Sequence, residues 1–252
     1  TARIYEDLGI LTCNPRITAD AAAVFNALTG ATPHVGYERL LVAPTFMRAG
    51  FTELIRREAE HAAAGRPAGI DAKMNQLQDP KIIREFYRAS QAGVPIRLLV
   101  RGLCCLRPGV RGLSETIRVV SIVGRFLEHT RILYFHNGGD EEYYIGSADM
   151  MRRNLESRVE VHAPVEDPEL RQELRMILDV QLTDQRSAWD MQPDGSYVQR
   201  RPKDDTTKGA QETLIGVAES RLAAASKHKE KNFRSRLVNH FHRRLRSNPE
   251  PD

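Results

Sequence analysis

The sequence predicts an α/β protein: a mostly parallel sheet flanked by helices on both faces, with a partial neighbouring domain before it and a helical, basic tail after it. Three observations carry this. Apolar runs of strand length alternate with amphipathic segments of helix length from residue 40 to residue 184, the pattern of a parallel sheet covered on both sides. The pairs Asp79-Pro80 and Asp167-Pro168 mark two helix starts, because an Asp side chain caps free backbone N–H groups and proline fits the first helical position. The 252 residues, 41% hydrophobic and 28% charged, are of globular composition and suffice for one full core and an additional piece.

Residues 1–12 alternate as a strand does, with Ile4, Leu8, Ile10 and Leu11 apolar, and Cys13-Asn14-Pro15 stops them. Thr18 is the expected cap of a short helix over 19–28, and Gly30-Ala31-Thr32-Pro33 reads as a loop that sets a domain boundary near residues 30–37. Leu40–Pro44 is a buried strand. A helix over 49–64 presents Phe51, Leu54 and Ile55 on one face and stops at Gly65. Ala68–Met74 is the next strand, followed by the Asp79-capped helix with Ile82, Ile83, Phe86 and Tyr87 inward and Gly93 at its end. PIRLLVRG is a strand ending at Arg101. Further strands are expected at Val119–Val123, RILYFH, YYIGS and VEVHAPV, then the Asp167-capped helix to about Asp184 and a strand or hairpin over 189–198. KDDTTKG is a linker, and 211–227 a helix. The expected domains are therefore 1–36, 37–200 and 201–252.

The net charge of +4 is concentrated between Lys227 and Arg246, where Lys227, Lys229, Lys231, Arg234, Arg236, Arg243, Arg244 and Arg246 face a single Glu230. Such a run is either a solvated arm or a contact for polyanions or an anionic membrane surface. No apolar run reaches the roughly 18 residues of a membrane span. Without an initiator Met or a signal segment, and opening on strand-like residues, the chain reads as a piece of something longer. Cys13, Cys104 and Cys105 have no framework spacing, which argues for structural thiols in a reducing, cytoplasmic setting.

Polar groups at the carboxyl ends of parallel strands face the usual ligand crevice. Lys73 ends one such strand and Arg101 another. The connection after Arg101 is long and holds Arg107, Arg111 and Arg118. An arginine fork suits phosphate because it donates two parallel hydrogen bonds and stays charged. His129 and Arg131 stand in H-T-R, and Gly146-Ser147-Ala148-Asp149 follows one hairpin later, with Asn154, Arg158 and Glu160 beyond. An imidazole can carry a phosphoryl group or move a proton near neutral pH, while cations and turn amides hold phosphate oxygens.

H-T-R with G-S-A-D resembles half of the phospholipase D superfamily signature, H-x-K followed by G-S-x-N. It departs from that pattern in three ways. Arg131 replaces Lys, Asp149 replaces Asn, and the spacing is three residues longer, the excess lying at Asn137-Gly138-Gly139-Asp140. The wider sequence is more specific. TARIYEDLGILT, IDAKMNQLQDP, GVPIRLLVRGLCCLRPG, LSETIRVVSIVGRFLEHTRILYFHNGGD, YIGSADMMRRNLESRVEV and PDGSYVQRR stand in the order of the type-1 polyphosphate kinase family, and the resemblance covers nearly all of residues 1–200.

The resemblance implies reversible transfer of the terminal phosphate of ATP to inorganic polyphosphate through a phosphohistidine, with magnesium. It implies two phospholipase D-like domains with the active site between them, homo-oligomeric assembly as dimers or tetramers, and association with the inner membrane face. No nucleic-acid partner is implied. Residues 1–36 correspond to the end of the third domain and 37–200 to the fourth. His129 matches the second histidine, a phosphate ligand and acid or base. Tyr5 matches an ATP-contacting tyrosine in T-A-R-x-Y, Arg101 an ATP-phosphate ligand in L-V-R-G, and Arg158 a phosphate-facing arginine in R-V-E. The nucleophilic histidine and the magnesium-linked arginines are expected upstream of TAR, so the chain alone is expected to be inactive. Lys73, Arg131, Ser147, Asp149 and Asn154 complete the candidate set. The competing hypotheses are a phospholipase D-like phosphodiesterase completed by dimerisation, and a non-catalytic polyanion-binding module.

Overall fold

The computed structural model describes residues 2–30 and 36–226. The loop residues from Ala31 and the basic tail from Lys227 lie outside the described residues. The chain forms two compact units, 1–210 and 211–252. In the second, residues 211–226 are helical.

The elements of the first unit are β1 (Tyr5–Glu6), α1 (Pro15–Leu28), β2 (Leu41–Ala43), α2 (Met47–Ala63), β3 (Ile70–Met74), α3 (Pro80–Gln91), β4 (Ile96–Val100), β5 (Ile117–Ile122), β6 (Leu127–Glu128), β7 (Arg131–Phe135), β8 (Glu142–Gly146), α4 (Arg152–Ser157), β9 (Glu160–Val165), α5 (Pro168–Leu182), β10 (Ala188–Met191) and β11 (Tyr197–Gln199). Nine strands make one sheet in the order β11-β10-β5-β4-β3-β7-β8-β9-β2. The parallel character expected from sequence holds at its centre, where β3, β4 and β5 run parallel. The flanks are antiparallel, because β7–β8 and β10–β11 are hairpins and short turns can only return the chain.

Both faces are covered. α2 and α3 bury Phe51, Ile55, Ile82 and Phe86 against Ile70, Ala72, Ile96 and Leu98. On the other face α5 buries Leu174, Leu178 and Leu182 against Leu99, Val120, Ile132 and Tyr134. Each fully buried side chain of this size contributes about 1.5–3 kcal/mol relative to exposure. α3 begins as predicted: the Asp79 carboxylate accepts from the Lys81 and Ile82 N–H groups at 3.0 Å each. Gly93 closes it at φ +92°, where a side chain would be strained.

The N-terminal strand expected over residues 1–12 is not formed. Among the described residues of this segment only Tyr5 and Glu6 pair, in parallel with Leu127 and Glu128, as a separate two-stranded sheet. The expected cap of the first helix is likewise corrected. α1 starts at Pro15, and Asn14, read as a strand stop, accepts from Arg16 N at 2.9 Å and is the cap. A Pro at the first helical position lets the helix begin earlier than Thr18, and Thr18 Oγ instead donates back to Asn14 O. α1 packs Ile17 and Val24 against Leu40, Val42 and Ala163.

Candidate phosphate-handling site

The strand register gathers the candidate residues at one end of the sheet. β3 and β4 run parallel and end at Met74 and Val100, so Asn75 and Arg101 leave the sheet together. β7 runs against β3, with Lys73 opposite Ile132, so the start of β7 lies at that same end. Arg131 faces Gly146 at the end of β8, and Gly146 faces His162, two residues into β9. His129, Arg131, Ser147, Asp149 and Glu160 therefore share the carboxyl edge of β3 and β4.

Glu6 holds the histidine segment in place. Its Oε1 accepts from His129 N at 2.7 Å and from Thr130 N at 3.0 Å, and its Oε2 accepts from the Thr130 hydroxyl. Lys73 Nζ donates to Glu6 at 2.6 Å and lies 2.9 Å from Glu128 Oε2. Burial pulls the Glu6 carboxyl upward, but the Lys73 charge and the hydrogen bonds from Lys73 and Thr130 outweigh it and hold its pKa at about 2. Lys73 is 4% exposed, with its ammonium enclosed by two carboxylates. The strand-end placement found for it from sequence thus puts its charge inside the protein. Gln181 of α5 extends the chain of contacts, donating to Glu128 at 2.6 Å.

His129 is part-exposed. Its Nδ1 lies 2.9 Å from Asp7 Oδ2, and its ring meets Tyr5 edge-on with centroids 4.8 Å apart. Arg131 Nη1 lies 3.1 Å from each ring nitrogen and donates to the His129 carbonyl at 2.7 Å. The same guanidinium reaches both oxygens of Asp149, Nε at 3.2 Å and Nη2 at 3.3 Å. The two residues by which this half-motif departs from H-x-K and G-S-x-N therefore pair with one another. Lysine has no second donor face with which to bridge a carboxylate and an imidazole at once. Asp149 also accepts from Asn75 N at 2.8 Å, and Asn75 Oδ1 accepts from Arg101 Nε at 2.9 Å. Among the described residues the two terminal nitrogens of Arg101 have no partner, so its fork is free to meet an anion.

The Gly146–Asp149 turn is held from β9. Ser147 Oγ accepts from Val161 N at 3.2 Å. His162, 1% exposed, has Nε2 3.2 Å from the Ala148 carbonyl, and burial lowers its pKa to about 4, so it is neutral at pH 7. Gly146 has no room for a side chain here unless its neighbours shift, since a Cβ on it would lie 2.3 Å from Val161 O and 2.4 Å from His162 Cγ. Asn154 is buried and donates to Glu160 at 2.6 Å. Arg158 is half exposed, with only a 3.7 Å approach to Glu160. Tyr5, His129, Arg131, Asp149 and Arg101 are thus linked by direct contacts, with Asn75 as intermediary. Asn154 and Arg158 form a neighbouring group around Glu160.

Sequence reasoning passed over Glu6, Asp7 and Asn75. Asn75 carries the same strand-end signal that singled out Lys73. Glu6 and Asp7 join the site only through contacts spanning 67 to 124 residues of sequence. Of the arginines in the connection after β4, Arg107 Nε donates to Pro193 O at 2.6 Å and is structural. Cys104 is part-buried, with its pKa pushed up to about 11 by burial, while Cys13 and Cys105 are exposed free thiols.

Among the described residues no three His, Cys, Asp or Glu side chains cluster so as to hold a metal ion. No helix there is long and apolar enough to cross a membrane.

Comparison with known proteins identifies the surroundings of this site. A family model described as polyphosphate kinase C-terminal domain 2 matches residues 40–211. The polyphosphate kinase of Synechocystis sp. is 58% identical over 202 residues, covering 80% of this chain and 28% of that protein. The polyphosphate kinase of Prochlorococcus marinus is 50% identical over 226 residues, covering 89% of this chain and 32% of that protein. The crystal structure of polyphosphate kinase from Porphyromonas gingivalis superposes with a TM-score of 0.79 at 40% identity, covering 83% of this chain and 32% of that one. The chain spans less than a third of the length of these relatives. It belongs to the polyphosphate kinase C-terminal domain 2 family.

Proposed function

We propose that this chain is the nucleotide- and polyphosphate-binding half of a polyphosphate kinase, which moves the terminal phosphate of ATP reversibly onto inorganic polyphosphate. In the reaction envisaged, an imidazole nitrogen attacks the terminal phosphorus and ADP leaves. The terminal oxygen of polyphosphate then attacks the same phosphorus, and the imidazole departs. We assign that nucleophile to a histidine outside these 252 residues, following the family pattern in which it stands in a separate H-x-K segment. His129 serves as phosphate ligand and as the acid or base at the transferred group, Tyr5 contacts the nucleotide, and Arg101 and Arg158 hold phosphate oxygens.

The observation that carries this is the Arg101 fork, held at Nε and open at both terminal nitrogens, at the same sheet end as His129. Magnesium belongs with such a reaction, but the carboxylates beside His129 do not fit a magnesium site. Glu6 is engaged by Lys73 and Thr130, Asp149 by Arg131 and Asn75, and Asp7 by His129. These carboxylates are therefore not assigned as metal ligands. The full-length enzyme is further proposed to work in the cytoplasm as a homo-oligomer.

The test is calorimetry of short-chain polyphosphate binding at two salt concentrations, wild type beside His129→Ala/Arg101→Ala. Loss of most of the binding in the double variant is expected. Equal binding by both, abolished by salt, would reject the site. A companion experiment incubates the chain with ATP and magnesium. Phosphohistidine detected on it by mass spectrometry would reject the assignment of the nucleophile elsewhere.

A further inference from the structure

We infer, on the functional reading above, that Asn75 is the positioning residue that aims the Arg101 fork and fixes its place relative to His129. Asn75 is 3% exposed and immediately follows β3. It makes three contacts to two different loops. Its side-chain Oδ1 accepts from Arg101 Nε at 2.9 Å. Its carbonyl accepts from Gly102 N at 2.8 Å, and a Cβ on residue 102 would lie 3.2 Å from that oxygen, so the backbone after Arg101 is pressed against Asn75. Its N–H donates to Asp149, the carboxylate that grips Arg131, whose Nη1 touches the His129 ring.

The chemistry of the guanidinium gives this contact its effect. Five N–H donors lie in one plane, and tying Nε to a buried acceptor fixes that plane while leaving Nη1 and Nη2 to face a ligand. Without the acceptor the long side chain regains its rotamers, and the ordering must then be supplied at binding. Asn75 would not touch phosphate itself. Its contribution reaches the ligand through Arg101, with an effect on the order of tenfold, the size expected for a buried hydrogen bond to a charged group.

The experiment is titration calorimetry of the whole chain with tripolyphosphate, on wild type, Asn75→Ala, Arg101→Ala, the double variant and Asn75→Asp, with a thermal melt of each. Asn75→Ala is expected to weaken binding about tenfold, the double variant to bind no worse than Arg101→Ala alone, and Asn75→Asp, which keeps an acceptor, to stay near wild type. Wild-type affinity in Asn75→Ala, beside a loss in Arg101→Ala, would overturn the inference and leave the functional reading standing. Losses that add in the double variant would also overturn it, since Asn75 would then act independently of Arg101. No loss in Arg101→Ala would sink the functional reading and this inference together. Should Asn75→Ala not fold, Asn75→Ser, whose hydroxyl is too short to reach Nε, is read in the same way.

Discussion

The Glu6 carboxylate lies 2.6 Å from the Lys73 ammonium, across 67 residues of sequence, and with Glu128 it encloses that charge almost completely. A buried cation between two carboxylates is costly to open from either side. Lys73→Met is expected to destabilise the chain by about 3–5 kcal/mol, because it leaves carboxylates buried without their counter-charge. Lys73→Met/Glu128→Gln should recover part of that loss. Urea unfolding of the two variants decides it, and equal stabilities would contradict the arrangement.

Acid should release the Glu6 clamp. Its folded pKa, about 2, lies below the unfolded carboxylate value, so the stability it contributes is present above pH 4.5 and is lost as the pH falls toward 2. Unfolding midpoints measured from pH 6 to pH 2 should fall more steeply in wild type than in Glu6→Gln over that window. Parallel curves would argue against it.

His162 gives a second, higher window. Its folded pKa of about 4 is below the unfolded value of 6.5, so the unfolded chain takes up a proton first and stability declines as the pH falls from 6.5 toward 4. Imidazole NMR signals should show His162 still neutral at pH 5. A His162 resonance titrating near 6.5 would refute its burial.

Gly146→Ala is expected to cost about 1–3 kcal/mol through overpacking against Val161 and His162. Because the Ser147–Asp149 turn would shift with it, polyphosphate affinity should fall as well. Thermal melts and calorimetry on the same variant test both, and an unchanged melting temperature would show that the close approach is relieved easily.

Arg131→Lys restores the residue found in H-x-K yet is expected to weaken this protein. A lysine cannot hold both Asp149 oxygens and the His129 carbonyl, so about 1–2 kcal/mol of stability should go. Adding Asp149→Asn should recover much of it, and failure of that rescue would mean the two departures from the motif are unrelated.

Local signals are legible in the sequence. Asp79 and Asp167 cap helices because side-chain oxygen and backbone N–H are neighbours in sequence. The same chemistry at Asn14 was misread as a strand stop, since the alternation before it suggested a strand that lacks a partner beyond Tyr5 and Glu6. β6 and α4 are not legible in the sequence because two or six residues hold too few periods. At the site, residue types and strand ends located Arg101 and His129. The same rule marked Lys73 as a candidate ligand, and only the fold reveals that carboxylates from residues 6 and 128 enclose it. Tyr5 came from family resemblance alone, and its edge contact with His129 places it at the same spot.

Among the described residues β1 joins only β6, and it stands outside the nine-stranded sheet. A segment held by two paired residues, the Glu6 carboxylate and the contacts of Tyr5 and Asp7 with His129 can detach while the main sheet stays intact, so its free energy of local opening is below that of global unfolding. In the detached state His129 loses Tyr5, Glu6 and Asp7 together. The fraction of molecules competent to bind at His129 is then set by an equilibrium of residues 5–7. A ligand gripping that histidine would draw the population toward the closed form and slow amide exchange at residues 129 and 130 without touching either backbone.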